Sequence, residues 1–169
     1  MIISLVGYMG SGKSHISKVL SNKINFKLID LDRQISLKNK MTIPEIFEKK
    51  GEIYFRKQEN EILKEILSAS EDFILSVGGG TPAYFNNMEI INQHSESIFL
   101  RTSVTNLTAR ILKQKEKRPL VANIPEDDLP EFIAKHLFER NIYYSQAKFT
   151  IDTDGKEPDQ IADEILSLI

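Results

Sequence analysis

Short apolar runs alternate with amphipathic stretches along most of the chain. The runs at residues 2–6, 26–31 and 73–77 have the length of buried strands, and residues at helical spacing follow them. Two further strands are predicted at 97–100 and 149–151, with helices at 83–92, up to about 112, from about 129, and near the end of the chain. This order is typical of a parallel sheet covered by helices, so we expect an α/β fold.

Two regions depart from the alternation. Between residues 32 and 70 no strand is predicted, and Thr42 and Glu45 have the spacing of a helix capping box, with Pro44 in the first turn. We therefore expect a helical insertion over about 32–62. Residues 113–130 are charged, contain three prolines and show no sustained period. Loops of this length are functional lids or disordered segments, and we place a lid at about 112–128 of a single domain spanning 1–169.

Composition excludes several classes of function. The 169 residues include no cysteine, which rules out disulfides, thiolate zinc sites and cysteine nucleophiles. A formal charge of −2 argues against a general nucleic-acid binder. No apolar run approaches the roughly 20 residues of a membrane span, and the first residues make a poor signal peptide. We expect a soluble, cytoplasmic protein.

The sequence GYMGSGKS at residues 7–14 is a P-loop pattern, placed between the first predicted strand and the first helix. Its glycines let backbone N–H groups turn toward a phosphate, and the following helix presents its positive end. Lys13 supplies a mobile charge for the β- and γ-phosphates, and Ser14 is placed to bind Mg²⁺. A chance glycine turn is the plain alternative. A solvated role for His15 is commoner than a catalytic one.

Asp30 and Asp32 follow in the stretch LIDLD at the end of the second predicted strand. Residues two apart on a strand share a face, so both carboxylates are expected to point toward the carboxyl edge of the sheet, where such folds bind ligands. With a P-loop upstream, a Mg²⁺-linked or hydroxyl-orienting role is favoured. The alternative is that Asp32 merely caps the next helix.

Two arginines occupy helical positions that suit recognition of a carboxylate. Arg56 and Glu59 are three residues apart, a spacing that allows an ion pair, although an exposed pair of little energy is the commoner outcome. His136, Arg140 and Tyr144 lie on one helical stripe, for which a solvated face is the alternative. Because a guanidinium group binds a carboxylate through two parallel hydrogen bonds, two such groups would suit a small carboxylate substrate.

Two further stretches are expected to face the same cleft. Arg118 precedes Pro119, which favours an extended backbone from which a cation could reach a transferring phosphate. The alternative is a solvated charge run. The glycines of SVGGGTP, at 78–80, follow the third strand but are not a second P-loop, because no Lys-Ser or Lys-Thr follows them.

These motifs, with GEIYFRKQE, KRPL and ERNIYYSQA, occur in an order that resembles the shikimate kinase family along essentially the whole chain. The resemblance implies a fold of the nucleoside-monophosphate-kinase type, with a five-stranded parallel sheet, a substrate-binding insertion and a mobile lid. It also implies the reaction of ATP with shikimate to give ADP and shikimate 3-phosphate, in the biosynthesis of chorismate and aromatic amino acids. A monomer is implied as well.

The resemblance also implies roles for individual residues. On the nucleotide side it implies a triphosphate cradle at Gly10, Ser11, Gly12, Lys13, Ser14 and His15, with Mg²⁺ held by Ser14 and, through water, by Asp30. Adenine would pack near residues 152–158 with Arg110 on its other face, and Arg118 would stabilise the moving phosphoryl group. On the acceptor side it implies Asp32 as the base, with shikimate bound by Arg56, Gly78, Gly79, Gly80 and Arg140. His15 departs from the Thr or Ser usual in the family.

Two other functions fit parts of the pattern. A kinase for another small hydroxyl compound, such as gluconate, or for a nucleotide would share the fold. A nucleotide acceptor would not need two arginines for one carboxylate, and a neutral sugar would need neither. A non-catalytic P-loop switch would bind nucleotide without needing the aspartates and the arginines together. Turnover with a small alcohol distinguishes these cases.

Overall fold

The computed structural model describes residues 1–169, and its five strands form one entirely parallel sheet in the order β2-β3-β1-β4-β5. Every residue of β1 and β3 is buried, as expected for central strands with helices on both faces. The predicted α/β class and five-stranded parallel sheet are confirmed. The strands are β1 (Ile2–Val6), β2 (Lys27–Asp30), β3 (Phe73–Ser76), β4 (Glu96–Arg101) and β5 (Phe149–Asp152).

Eight helices cover the two faces of the sheet. Ile3 and Leu5 of β1 belong to one apolar cluster and Ile2 and Val6 to another, because successive strand residues point to opposite faces. The first cluster includes residues of α1 and α8, and the second joins β1 to α2–α7. The helices are α1 (Lys13–Ile24), α2 (Leu31–Asn39), α3 (Ile43–Lys50), α4 (Glu52–Leu67), α5 (Asn87–His94), α6 (Val104–Leu112), α7 (Leu129–Tyr144) and α8 (Pro158–Leu168).

The junction of β2 and α2 differs from the prediction. The strand ends at Asp30 and the helix begins at Leu31, so Asp32 lies in the first helical turn and not on the strand. The cap is Asp30, whose side chain accepts a hydrogen bond of 3.0 Å from the backbone N–H of Arg33. Both the shared strand face and the capping role of Asp32 were therefore wrong. Leu28 and Ile29 of β2 and Leu31 of α2 have the pattern of one apolar run, which hid a helix start that the capping aspartate defines.

The segment between β2 and β3 is helical, as predicted, and consists of α2, α3 and α4. Thr42 caps α3 by accepting a hydrogen bond from the Glu45 N–H at 3.3 Å, with Pro44 in the first turn. The reciprocal bond of a capping box is absent there. A complete capping box occurs instead at α8, between Glu157 and Gln160.

The predicted helix at 83–92 begins later than expected. Residues Thr81–Ala83 form a 3₁₀ turn, and α5 starts only at Asn87. The segment between α6 and α7, predicted as a lid, contains two further 3₁₀ turns at Lys115–Lys117 and Glu126–Asp128. None of the helices combines the length and apolar character needed to cross a membrane.

Candidate active site

The P-loop connects β1 to α1 and has the backbone of a phosphate cradle. Gly10 and Gly12 have φ values of 81° and 92°, a left-handed conformation that other residues adopt only at a cost. Lys13 begins α1, and its ammonium group donates to the carbonyls of Gly7 at 2.6 Å and Tyr8 at 3.0 Å. The loop thus holds its lysine against its own backbone, beside the positive end of the helix.

Burial lowers the pKa of Lys13 to about 8, with Arg118 lowering it further and Asp32 and Asp30 acting in the opposite direction. Lys13 therefore loses its proton more readily than an ordinary lysine, and an additional anion beside it would favour the protonated, charged form. A phosphate group supplies such an anion, so the electrostatics favour binding of a phosphate at this point.

A cavity of about 500 Å³ extends from the P-loop over the carboxyl ends of the strands. It brings together predicted site residues from five separate segments of the chain. It is lined by Gly10, Gly12, Lys13, Ser14, His15, Asp30, Asp32, Gly78, Gly79, Arg110 and Arg118, among others. Of the predicted triphosphate cradle at residues 10–15, only Ser11 does not line this cavity; it is fully buried and its hydroxyl has no hydrogen-bond partner.

Asp32 reaches this cavity from the first turn of α2. Burial raises its pKa to about 6, reinforced by the charges of Asp30 and Glu59 and opposed by Lys13 and Arg56. A Cβ on Gly78 would lie 3.1 Å from Asp32 Oδ1, so the glycine backbone lies against the carboxylate. A carboxylate with a raised pKa can accept a proton near neutral pH, which suits a general base.

A smaller cavity of about 170 Å³ adjoins the first, and Met9 and Gly79 line both. Arg56 and Arg140 also line the smaller cavity. The predicted pair of Arg56 with Glu59 is confirmed at 2.9 Å, but it is not a surface pair, since the Glu59 side chain is only 1% exposed. The small cavity is therefore cationic and lies beside the P-loop cavity.

Gly80 is the glycine of the loop that lies against both arginines. A Cβ at this position would lie 2.7 Å from Arg140 Nη1 and 2.7 Å from Arg56 Nη2. Contacts this short would require the guanidinium groups to shift, so glycine at this position allows both of them to lie against the loop. The three glycines thus face different groups: Gly78 faces Asp32, Gly79 faces the P-loop and Tyr144, and Gly80 faces the arginines.

A buried hydrogen-bond network behind Arg56 was missed in the sequence. Thr81 donates to the second carboxylate oxygen of Glu59 at 2.8 Å, and Asn87 donates to the Thr81 carbonyl at 2.9 Å. Asn60 donates to the side chain of Asn87 at 2.7 Å. The network fixes the carboxylate that orients Arg56. In the sequence, only the position of Thr81 directly after the glycines pointed to a role. The other members of the network lie on α4 and α5.

The stripe on α7 lies against the P-loop and the glycine loop. Arg140 donates to the Gly79 carbonyl at 3.4 Å, and the Tyr144 hydroxyl donates to the same oxygen. One turn before Arg140, His136 shares a hydrogen bond of 2.8 Å with the Tyr8 hydroxyl. Burial lowers the pKa of His136, and the charge of Arg140 lowers it further. Tyr8, a variable position of the P-loop pattern, therefore links the nucleotide loop to the arginine helix.

Arg118 reaches the large cavity from the segment between α6 and α7. Its backbone is extended, with φ −114° and ψ 99°, as expected before a proline. Its guanidinium group donates to the Gln114 side chain at 3.0 Å, while its Nε is buried without a partner. Leu120, two residues later, lines the small cavity. The segment therefore contributes to both cavities.

A third cavity, of about 290 Å³, extends the first on the side away from the arginine pair. Gly12, His15 and Arg110 line both, and Arg110 donates to the Gly10 carbonyl at 3.1 Å. Within the predicted adenine segment 152–158, Lys156 and Pro158 line this cavity. Asp152 pairs instead with Arg101, and Asp154 accepts from Asn106. Only the end of that segment therefore lines the cavity that Arg110 also lines.

Shared lining residues place the P-loop cavity between the other two. This arrangement suits an elongated ligand on the P-loop with a small anion beside it. A cradle for phosphates that shares a wall with a cationic pocket can place a γ-phosphate next to a hydroxyl of a small acid. With the parallel sheet, this defines the class as a P-loop kinase for a small acceptor.

Comparison with known proteins narrows the class. The model of the family described as Shikimate kinase matches residues 9–169. A shikimate kinase of Flavobacterium psychrophilum is 47% identical over 168 residues, covering 99% of this chain and 98% of the relative. The chain belongs to the shikimate kinase family.

Solved structures agree with this assignment. The crystal structure of a shikimate kinase from Bacteroides thetaiotaomicron superposes with a TM-score of 0.91 at 31% identity, over 99% of this chain and 97% of the other. A shikimate kinase from Acinetobacter baumannii, solved in complex with shikimate, gives a TM-score of 0.88 at 32% identity, over 99% and 91%. The likeness thus includes the insertion and the segment between α6 and α7.

Proposed function

We propose that this chain carries out the reaction of its family in the cleft described above, transferring the γ-phosphoryl group of ATP to the 3-hydroxyl of shikimate. The observation that carries the proposal is the shared wall between the nucleotide cavity and the arginine-lined cavity, formed by Met9 and Gly79. At the point where the two cavities adjoin, an acceptor hydroxyl can lie next to the terminal phosphate of the nucleotide. The product would enter the biosynthesis of chorismate and aromatic amino acids.

ATP is proposed to lie along the P-loop with adenine between Arg110 and Pro158. The backbone of Gly10–Gly12 and the Lys13 ammonium group would bind the phosphates, as the left-handed glycines and the start of α1 favour. His15 lines both the phosphate cavity and the adenine-side cavity. Its place between the two suits contact with the α-phosphate or the ribose.

Mg²⁺ fits this site because its donors are oxygens. Ser14 and Asp30 line the same cavity, and a hydroxyl with a carboxylate acting through water matches the preference of Mg²⁺ for a few protein ligands plus phosphate oxygens. When bound, the ion would neutralise charge on the β- and γ-phosphates. The Asp30 carboxylate already accepts the Arg33 N–H, which fixes its direction.

The transfer itself is proposed to depend on Asp32 and Arg118. Asp32, with its pKa raised to about 6, would accept the proton of the 3-hydroxyl as that oxygen attacks. Arg118 lines the cavity on the side of the lid segment, where its charge can stabilise the phosphoryl group in flight. Neither role requires a covalent intermediate, so catalysis rests on positioning and electrostatics.

The shikimate carboxylate is proposed to bind Arg56 and Arg140. Arg56 is already paired with Glu59, whereas no acidic side chain forms an ion pair with Arg140. The cavity therefore carries roughly one uncompensated positive charge, which matches one carboxylate. Backbone groups of Gly78, Gly79 and Gly80 lie near enough to contact the ring hydroxyls.

We also infer that the chain works as a monomer in the cytoplasm. The residues proposed for the phosphates, the base and the acceptor carboxylate already lie together in a single copy, which supports the monomer that the family resemblance implies. Both proposed substrates are small, water-soluble molecules of central metabolism.

A coupled assay of ADP release tests the proposed reaction. Shikimate should support turnover, whereas nucleoside monophosphates and a methyl ester of shikimate should support far less, because they lack the carboxylate that the arginines require. Gluconate has a carboxylate but no ring to fix its hydroxyls, and it should also support far less turnover. Turnover with a nucleotide and not with shikimate would favour the rival kinase. Nucleotide binding without turnover on any acceptor would favour a switch protein.

A further inference from the structure

Tyr84 lies against both arginines of the acceptor cavity. The guanidinium carbon of Arg56 is 3.9 Å from the centroid of the Tyr84 ring, and that of Arg140 is 5.6 Å from the same centroid. Both distances fall within the roughly 6 Å over which a cation is attracted to an aromatic face. A single ring therefore contacts two cations, and it does so without lining either cavity.

The two guanidinium groups need such a contact because they lie close together. Both approach within 2.7 Å of the same point above Gly80, where like charges repel. Arg56 has Glu59 at 2.9 Å and Glu52 at 3.8 Å to offset this repulsion, but Arg140 has no acidic partner. The negative face of the Tyr84 ring attracts both guanidinium groups and so offsets part of their repulsion.

Tyr84 is itself held firmly between two elements. Its hydroxyl donates to Glu52 at 3.0 Å, in the first turn of α4 and one turn before Arg56. Its backbone N–H donates to the Thr81 carbonyl, which ties the residue to the glycine loop. The ring is therefore fixed with respect to α4 and to the wall that both cavities share.

We propose that Tyr84 is a positioning residue for carboxylate recognition, whose ring holds the guanidinium groups of Arg56 and Arg140 side by side before the acceptor arrives. The proposal rests on the proposed function. Side chains that are already ordered lose less conformational freedom when a ligand binds. Removing the Tyr84 ring should therefore weaken binding of the acceptor. The step of phosphoryl transfer and the binding of ATP do not depend on the ring.

Substitutions that remove only the aromatic face test the role. In Tyr84→Leu, and in Tyr84→Met as a second variant with an unbranched side chain, the KM for shikimate should rise about tenfold, with kcat and the KM for ATP unchanged. Tyr84→Phe retains the ring and loses only the bond to Glu52, so its KM should stay within about twofold of the unsubstituted enzyme. Phe85→Leu, at the exposed neighbouring aromatic, is the matched control and should change nothing.

Inhibition by the methyl ester of shikimate separates recognition of the carboxylate from general damage to the pocket. The ester lacks the charge, so its inhibition constant should be nearly the same in Tyr84→Leu and in the unsubstituted enzyme. A KM for shikimate that stays normal in both the Leu and Met variants would overturn the proposal. Equal losses for acid and ester, or Leu and Met variants that are unfolded at the assay temperature, would also overturn it by showing a structural role. Absence of shikimate-dependent turnover in the unsubstituted enzyme would instead refute the proposed function.

Discussion

The Asp32 carboxylate is buried and lies near the negative charges of Asp30 and Glu59. Burial, and to a lesser extent these charges, raise its pKa to about 6. A base of this strength is half-protonated just below neutral pH and available above it. We predict that Asp32→Asn lowers kcat by at least about 100-fold while the protein stays folded. Steady-state kinetics with shikimate and ATP measure this, and turnover near the normal rate would remove Asp32 as the base.

The same raised pKa has a consequence for stability. A group whose pKa is higher in the folded state than in the unfolded state destabilises the fold once it ionises, so its contribution worsens as pH rises through about 6. In metal-free protein at about pH 8, Asp32→Asn should melt about 5 °C higher than the unsubstituted chain, and the gap should close toward about pH 4. Thermal melts at several pH values check this. A gap that stays constant with pH would show that ionisation of Asp32 is not its cause.

Gly80 is the glycine whose replacement should act on the acceptor alone. A Cβ there would lie 2.7 Å from a nitrogen of each arginine, whereas one on Gly79 would meet the P-loop amide of Met9 at 3.3 Å. We predict that Gly80→Ala raises the KM for shikimate at least about tenfold, by displacing both guanidinium groups, with ATP affinity unchanged. Titrations with ATP and shikimate separate the two effects, and weaker ATP binding would assign Gly80 to the phosphate side.

Between elements of the fold, Thr81 connects the glycine loop to α4. Its hydroxyl is fully buried and donates to Glu59, so Thr81→Val leaves a buried carboxylate oxygen without its partner. We predict a loss of about 1–3 kcal/mol in the free energy of unfolding and a higher KM for shikimate, because Glu59 no longer fixes Arg56. Thr81→Ser keeps the hydroxyl and should restore both. If the Ser variant behaves like the Val variant, packing of the methyl group is responsible instead.

Across the molecule as a whole, the alternation of apolar runs and amphipathic stretches was enough to predict the sheet, because every buried parallel strand leaves a local signal. The start of α2 could not be predicted in this way, since Leu31 continues the apolar run of β2 and the helix is defined by the cap at Asp30. The P-loop also carried its own signal. Tyr84 and Asn87 did not, because their importance depends on residues of α4 and α7 that only the fold brings near them.

The proposed reaction depends above all on Arg140, which supplies the uncompensated charge for the shikimate carboxylate. Its most direct test is the KM for shikimate and the affinity for ATP in Arg140→Ala. Losing this contact should remove about 2–4 kcal/mol, so the KM for shikimate should rise by about one to three powers of ten, with ATP affinity nearly unchanged. Unchanged kinetics with shikimate in a folded Arg140→Ala enzyme would show that the carboxylate binds elsewhere.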